Sequence, residues 1–288
     1  DTLASNMAAV VREFGNYGDI FTRSEARGLL ARDGISLNYV YDWNSDPQQH
    51  APGVLYSFPF GAVDVAGPDP SPGSIMASIL SRGYLRCGVN PRRGLGFAQS
   101  ENNTWTGLDV EFCRVLSAAL FRRNTSAVEL VEVEDITSPG TEKPSYYNSL
   151  TALEEGHVDV LAGVQVTLLA DFHGLKFSPA YYYDNQERQA FAMATLDSYG
   201  QFGALVYWVV MAMIYAEENG IGTNTSAAMP VIRLFGEGLK QMLRDTVQAL
   251  GSYGDIYNRT LQSTIPRAGA NLLNRDNASG PQHFPLPL

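Results

Sequence analysis

Apolar and polar residues alternate strictly in two short segments near the start of the chain. Residues 35–43 and 54–60 carry apolar side chains at every second position, which is typical of a strand with one buried face. Pro59 confines the second strand to the edge of a sheet. The apolar positions that we expect to be buried in an assembly are Ile35, Leu37, Tyr39, Tyr41, Trp43, Val54, Tyr56, Phe58 and Phe60.

Helical and strand patterns alternate after a Pro/Gly/Ser-rich linker at 67–74. This alternation predicts an α/β fold, a three-layer and mainly parallel sheet with flanking helices. Asp109 is a candidate N-cap for the second helix. The predicted helices cover 75–82, 110–121 and 145–155, the strands cover 85–89, 128–133 and 158–161, and 198–260 is mostly helical. The predicted domains are an N-terminal helix with two strands (1–66), the linker (67–74) and a lobe with C-terminal helices (75–288).

A segment near the N-terminus is repeated near the C-terminus. Residues 15–23 and 251–259 are identical at six of nine positions, which indicates a duplicated tail-like segment.

The stretch 199–216 carries no charged residue and is 18 residues long. This length is at the lower limit for a membrane span. Because it contains Gln201 and is followed by Glu217 and Glu218, we predict a buried core helix rather than a span.

Composition excludes several classes of function. The net charge is −10, which argues against a protein that follows nucleic-acid phosphates. Two cysteines and four scattered histidines cannot form a Cys-rich zinc site. No phosphate-binding or hydrolase motif is present, so no cofactor and no metal is predicted.

Cysteines and glycosylation sequons favour an oxidising compartment. Cys87 and Cys113 form either one disulfide or two buried thiols. No basic segment typical of a secretory signal begins the sequence, and we expect either a mature or a trimmed N-terminus. Five Asn-x-Ser/Thr sequons, more than expected by chance, predict N-linked glycans on a secreted protein. They lie at Asn102, Asn124, Asn224, Asn258 and Asn277.

Four segments, 85–90, 105–121, 150–163 and 177–186, together resemble one family. It is family 3 of the type-2 periplasmic solute-binding proteins of ABC transporters, and the likeness is to its general L-amino-acid-binding branch. The resemblance covers roughly 75–288, and both cysteines fit the pattern of that branch. It implies two α/β lobes that clamp an amino acid between them.

Two departures from the family weaken the expected ligand site. The family chain builds a second lobe after a phrase like 177–186, whereas this chain continues into a helix at 198, so we expect lobe 2 to be absent. The family's carboxylate-binding arginine is matched by Ala170. Phe97 resembles the family's stacking aromatic or is a packing residue, and Thr167 offers a hydroxyl. We therefore expect at most a weak, degenerate amino-acid site.

These features predict a non-enzymatic, extracellular glycoprotein that uses the lobe as a structural building block. It would assemble with its own copies, head to tail through its N-terminal segment, for example into a filament. The alternative is an amino-acid-binding protein of a transporter or sensor, located in the periplasm. A third hypothesis, an enzyme, rests on Glu154 and Glu155, which we expect to be a solvated helix end.

Overall fold

The computed structural model describes residues 69–91, 97–101, 104–133, 146–167, 170, 172, 174–184 and 189–272. The predicted helix and strands of the N-terminal segment, the sequons at Asn102 and Asn277, and the first two residues of the predicted linker lie outside these residues. The predicted division into domains therefore stays a prediction.

Helices and strands alternate through the first part of the described chain. The helices of eight or more residues are Ile75–Arg82 (α1), Leu108–Leu120 (α2), Tyr146–Glu154 (α3), Gly200–Glu218 (α4), Met242–Leu250 (α5) and Tyr253–Thr260 (α6). The strands are Leu85–Val89 (β1), Gln99–Glu101 (β2), Thr104–Thr106 (β3), Val128–Glu132 (β4), Val160–Gln165 (β5), Leu175–Phe177 (β6), Tyr182–Asp184 (β7) and Gln189–Leu196 (β8). Short 3-10 helices cover Asp197–Tyr199, Thr223–Ala228, Glu237–Leu239 and Gly269–Leu272.

The main sheet is mixed, with a parallel half and an antiparallel half. Its order is β4-β1-β5-β8-β6, and β7 also pairs with β8. Strand β1 runs parallel to β4 and β5, whereas β8 runs antiparallel to β5, β6 and β7. Strands β2 and β3 form a separate antiparallel pair. The predicted α/β fold is confirmed.

Apolar residues cover both faces of the main sheet. Val160 and Met193 belong to the larger core cluster, with residues of α1, α2, α4, α5 and α6. The neighbouring residues Leu161 and Ala194 point into a smaller cluster, with Leu150 and Leu153 of α3. Successive residues of a strand face opposite sides, so the described part of the chain has three layers.

The long apolar helix α4 lies mostly inside this core. Within the described residues, one helical segment, Asp197–Glu218, could cross a membrane by its length and composition alone, and 61% of its most apolar window is buried in the protein. Phe202, Val206 and Val209 are at most 1% exposed. This burial supports the predicted core helix.

Two local predictions differ from the structure around Asp109 and Asp159. Helix α2 begins at Leu108, and its N-cap is Gly107 without a side-chain bond, so the prediction that Asp109 caps this helix is wrong. Asp109 is fully buried, and its carboxylate accepts a bond from Tyr181. Strand β5 begins at Val160 rather than at 158. Buried Asp159, just before it, accepts bonds from the Arg86 backbone N–H at 2.7 Å and from the Arg82 side chain.

Gly88 in the middle of β1 has no room for a side chain. A Cβ atom there would lie 2.6 Å from Cδ2 of Leu161 and 3.1 Å from Cγ1 of Val133. We expect Gly88→Ala to lower the free energy of unfolding by about 1–3 kcal/mol, because overpacking forces core side chains to move. Urea denaturation measures this change. Gly200→Ala, whose added Cβ meets nothing within 4 Å, is the control, and equal midpoints for the two variants would contradict the prediction.

Candidate functional site

The carboxyl ends of the parallel strands β1 and β5 form the candidate site. In open α/β sheets, ligands bind outside this edge. Asn90 follows β1, and Thr167 follows β5 by two residues. The start of α2 lies at the same edge, since the Asp109 N–H donates to the Phe97 carbonyl at 2.9 Å.

Phe97 lies at this edge but is packed into the core. It is 6% exposed, and its ring centroid is 4.6 Å from that of Tyr182, edge to face. Tyr182 in turn lies 6.1 Å from the ring of Phe191 on β8. The sequence leaves two roles open for Phe97, ligand stacking and packing. In the structure its side chain packs in the core.

Thr167 lies two residues beyond the end of β5. Its Oγ1 accepts a hydrogen bond from the Ala170 N–H at 3.1 Å, so the hydroxyl proton remains available for donation to another acceptor. Thr167 is half-buried, and Ala170 is 2% exposed. A carboxylate at this edge would meet a hydroxyl group but no guanidinium from position 170.

Tyr181 and Asp109 form a buried pair directly behind the edge. The Tyr181 hydroxyl donates to Oδ1 of Asp109 at 2.6 Å, and both residues are fully buried. The ring of Tyr181 stacks on Phe112 at 4.1 Å. The sequence analysis missed both roles. The sequence predicts Asp109 to be a helix cap. No local pattern distinguishes Tyr181 from the other tyrosines, because its partner lies 72 positions away in sequence.

The neighbouring tyrosines are also tightly enclosed. Burial raises the pKa of Tyr183 to about 12 and raises the pKa of Tyr253 well above its usual value. The side chain of Asn271 holds β7 from the C-terminal side. Its Oδ1 accepts from the Tyr183 N–H, and its Nδ2 donates to the Tyr183 carbonyl, both at 2.7 Å. The hydroxyls of Tyr183 and Tyr253 are therefore neutral at physiological pH.

A disulfide joins Cys87 of β1 to Cys113 of α2, and both residues are fully buried. It connects the strand that leads into the candidate edge with the helix that begins there. Of the alternatives that the sequence left open, the structure has the disulfide and no free thiol.

The remaining candidate residues that can be located lie at the protein surface. Glu154 and Glu155 are exposed at the end of α3, and Glu155 contacts His157 at 3.0 Å. In the described part of the chain, no group of three or more His, Cys, Asp or Glu side chains could hold a metal ion. The sequon residues that can be located, Asn124, Asn224 and Asn258, are exposed.

An open surface cavity of about 680 Å³ lies between Gly220–Thr225 and the α5–α6 turn. Its charged groups already have partners within the protein. Asp255 accepts from the Ser252 N–H at 2.8 Å, and Arg259 donates from Nε to Glu111 at 2.8 Å. Its lining residues are separate from those of the candidate edge.

Comparison with known proteins identifies the relatives of this chain. No family model matches it. The chain is 31% identical over 137 residues to the general L-amino acid-binding periplasmic protein AapJ of Rhizobium johnstonii. That match covers 46% of this chain and 36% of the relative's own length. The resemblance to amino-acid-binding periplasmic proteins is confirmed.

Solved structures with this fold include a periplasmic binding protein of an ABC transporter from Brucella ovis with glutathione bound. The similarity has a TM-score of 0.57 at 18% identity and covers 75% of this chain and 99% of that one. A cysteine-binding protein from Campylobacter jejuni is also similar, with a TM-score of 0.44 at 11% identity, over 66% of this chain and 93% of that one. The Brucella match shows the fold, and the partial sequence coverage fits a single lobe of the family.

The relatives overturn the main functional prediction. The prediction of a secreted structural glycoprotein that assembles with itself into a filament is wrong, because the relative that is 31% identical over 137 residues is a general L-amino acid-binding periplasmic protein. The prediction that the partners are other copies of the chain and N-linked glycans is wrong for the same reason. The expectation that an amino-acid ligand is doubtful is also contradicted, because this relative is an amino-acid-binding protein. The relative from Rhizobium johnstonii is a periplasmic protein, which agrees with the alternative location, and the predicted extracellular location is not shown.

Proposed function

We propose that this chain is a non-catalytic, periplasmic amino-acid-binding protein that delivers its ligand to an ABC transporter. The observation that carries the proposal is the 31% identity to an amino-acid-binding periplasmic protein. The fold supports it, because the parallel strands end at one edge where a small ligand can bind.

The chemistry of the edge suggests how the ligand would be held. With Ala170 in place of an arginine, the ligand carboxylate would be bound by the Thr167 hydroxyl and by main-chain N–H groups rather than by a bidentate charged contact. These donors are uncharged and bind one at a time, so they lack the positive charge and the bidentate geometry that a guanidinium brings to a carboxylate. The affinity is therefore expected to be lower than that of a site with a guanidinium, but binding is not abolished.

Isothermal titration calorimetry against each of the standard amino acids and glutathione tests the proposal. We expect saturable binding of at least one of them, together with a ligand-dependent rise in the melting temperature, because a ligand that binds only the folded state stabilises it. If none of the compounds produces heat or a shift in melting temperature at millimolar concentration, the proposed function is wrong.

Thr167→Val tests the proposed contact with the ligand. The substitution keeps the shape of the side chain but removes its hydroxyl, so we expect the amino-acid affinity to fall about tenfold, the equivalent of one hydrogen bond of about 1.4 kcal/mol. Thr167→Ser restores the hydroxyl and should bind nearly as well as the wild type. Thr151→Val, on the exposed side of α3, is the control. Equal affinities for Thr167→Val and this control would refute the contact.

A further inference from the structure

Strand β5 contains an irregularity just before the candidate site. The pairing of β5 with β8 shifts register between Leu161 and Val164. Gly163 lies inside this irregularity with φ +69°, a conformation that favours glycine. Beyond it, the Val166 N–H donates to the Ala190 carbonyl at 2.8 Å. The direction in which the chain leaves β5 towards Thr167 is therefore set by the geometry of this bulge.

The Tyr181 hydroxyl is bonded to this bulge and to α2 at once. It accepts a hydrogen bond from the Gly163 N–H at 2.6 Å and donates one to Oδ1 of Asp109 at 2.6 Å. Asp109 in turn holds the Phe97 carbonyl through its backbone N–H. One buried hydroxyl thus connects Phe97, through Asp109, with the end of β5, the two sides of the candidate site.

The position of this hydroxyl is fixed from several sides. The Tyr181 ring stacks on Phe112 with an angle of 20° between the ring planes. The Tyr181 N–H donates to the Phe191 carbonyl at 2.9 Å, and the Tyr253 hydroxyl donates to the Tyr181 carbonyl at 2.5 Å. Because the ring and both backbone groups are held, the hydroxyl has one available location and can act as a rigid reference point.

We propose that Tyr181 is a positioning residue for the amino-acid site: its hydroxyl holds the Gly163 bulge and the start of α2 in register, and so places Thr167 relative to Phe97. The inference rests on the proposed function for the identity of the ligand. It assigns Tyr181 no contact with that ligand. The bond to Gly163 makes the shape of the site depend on a hydroxyl buried behind it.

Tyr181→Phe tests this role because it keeps the stacked ring and removes only the hydroxyl. We expect amide hydrogen exchange at Gly163 and Val166, followed by NMR, to become about fivefold to tenfold faster, as loss of one buried hydrogen bond implies. We also expect the affinity for the amino acid found by calorimetry to fall about tenfold. The control is Tyr257→Phe, which removes a hydroxyl bonded to the Ile265 carbonyl at 3.2 Å, away from the bulge.

Each measurement has an outcome that overturns the inference. If exchange at Gly163 and Val166 is unchanged in Tyr181→Phe, the hydroxyl does not hold the bulge. If Tyr181→Phe and Tyr257→Phe reduce the affinity equally at matched loss of stability, the role of Tyr181 is general packing and the inference is wrong. If the wild-type protein binds no amino acid, the proposed function fails, while the exchange measurement, made without ligand, still decides whether Tyr181 sets the bulge.

Discussion

Arg267→Met is expected to destabilise the protein by about 3–5 kcal/mol, because it leaves the partly buried carboxylate of Glu217 without its charged partner. The Arg267 side chain is 4% exposed and that of Glu217 is 15% exposed. The two groups meet through two N–H···O bonds of 2.5 and 2.8 Å. The guanidinium also lies 4.7 Å from the ring centre of Tyr253, so a cation–π contact is lost as well. Urea denaturation followed by circular dichroism measures the change in the free energy of unfolding.

Two further variants show that the loss comes from an isolated charge. The double variant Glu217→Leu/Arg267→Met should recover part of the lost stability, because it removes both charges together. Lys240→Ala removes one partner of the exposed pair with Glu237 and should leave the midpoint unchanged, since solvent screens such pairs. The account is wrong if the double variant is less stable than Arg267→Met alone.

Reducing the disulfide is expected to cost about 3.5 kcal/mol of stability, the loop-closure entropy of a cross-link between residues 26 positions apart. The midpoint of urea denaturation should therefore be lower in the presence of a reductant. Because both sulfurs are buried, the folded protein should be reduced only as fast as it unfolds. Denaturation curves recorded with and without dithiothreitol provide the measurement.

The matched control is Cys87→Ala/Cys113→Ala, which should be insensitive to the reductant. This variant also loses two buried sulfur atoms, so it should be at least as unstable as the reduced wild type. A wild-type midpoint that does not move with dithiothreitol would show that the disulfide contributes nothing to stability.

The predicted function is wrong because the expected absence of a second lobe and of an arginine at position 170 does not exclude amino-acid binding. The expected loss of a lobe and the alanine at position 170 predict at most a weak amino-acid site, and the sequons and the duplicated tail predict a glycoprotein that assembles with its own copies. A missing guanidinium weakens a carboxylate site but does not abolish it, since hydroxyl and main-chain N–H groups also bind carboxylates. The resemblance of 105–121 and 150–163 to amino-acid-binding proteins agrees with the relative found by sequence comparison.

The sequence alone predicted the fold class, the elements α1, β1, α2, β4, α3 and β5, and mostly helical structure over 198–260, but not the strands β2, β3, β6, β7 and β8. Elements such as α1, β1 and α2 were predicted within two residues of their bounds, because they depend on local periodicity and nearby stop signals. The burial of α4 followed from the polar and charged residues around it. The likeness to amino-acid-binding proteins was also readable, because it lies in runs of consecutive residues.

Only the tertiary structure decided which side chains build the site. The bonds from Tyr181 to Asp109 and Gly163 join residues that are 72 and 18 positions apart, and the Arg267–Glu217 pair spans 50 positions. Nothing in local periodicity specifies such partners. They are set by how helices and sheet pack, because a buried polar group must find its hydrogen-bond partner wherever the fold brings one within reach.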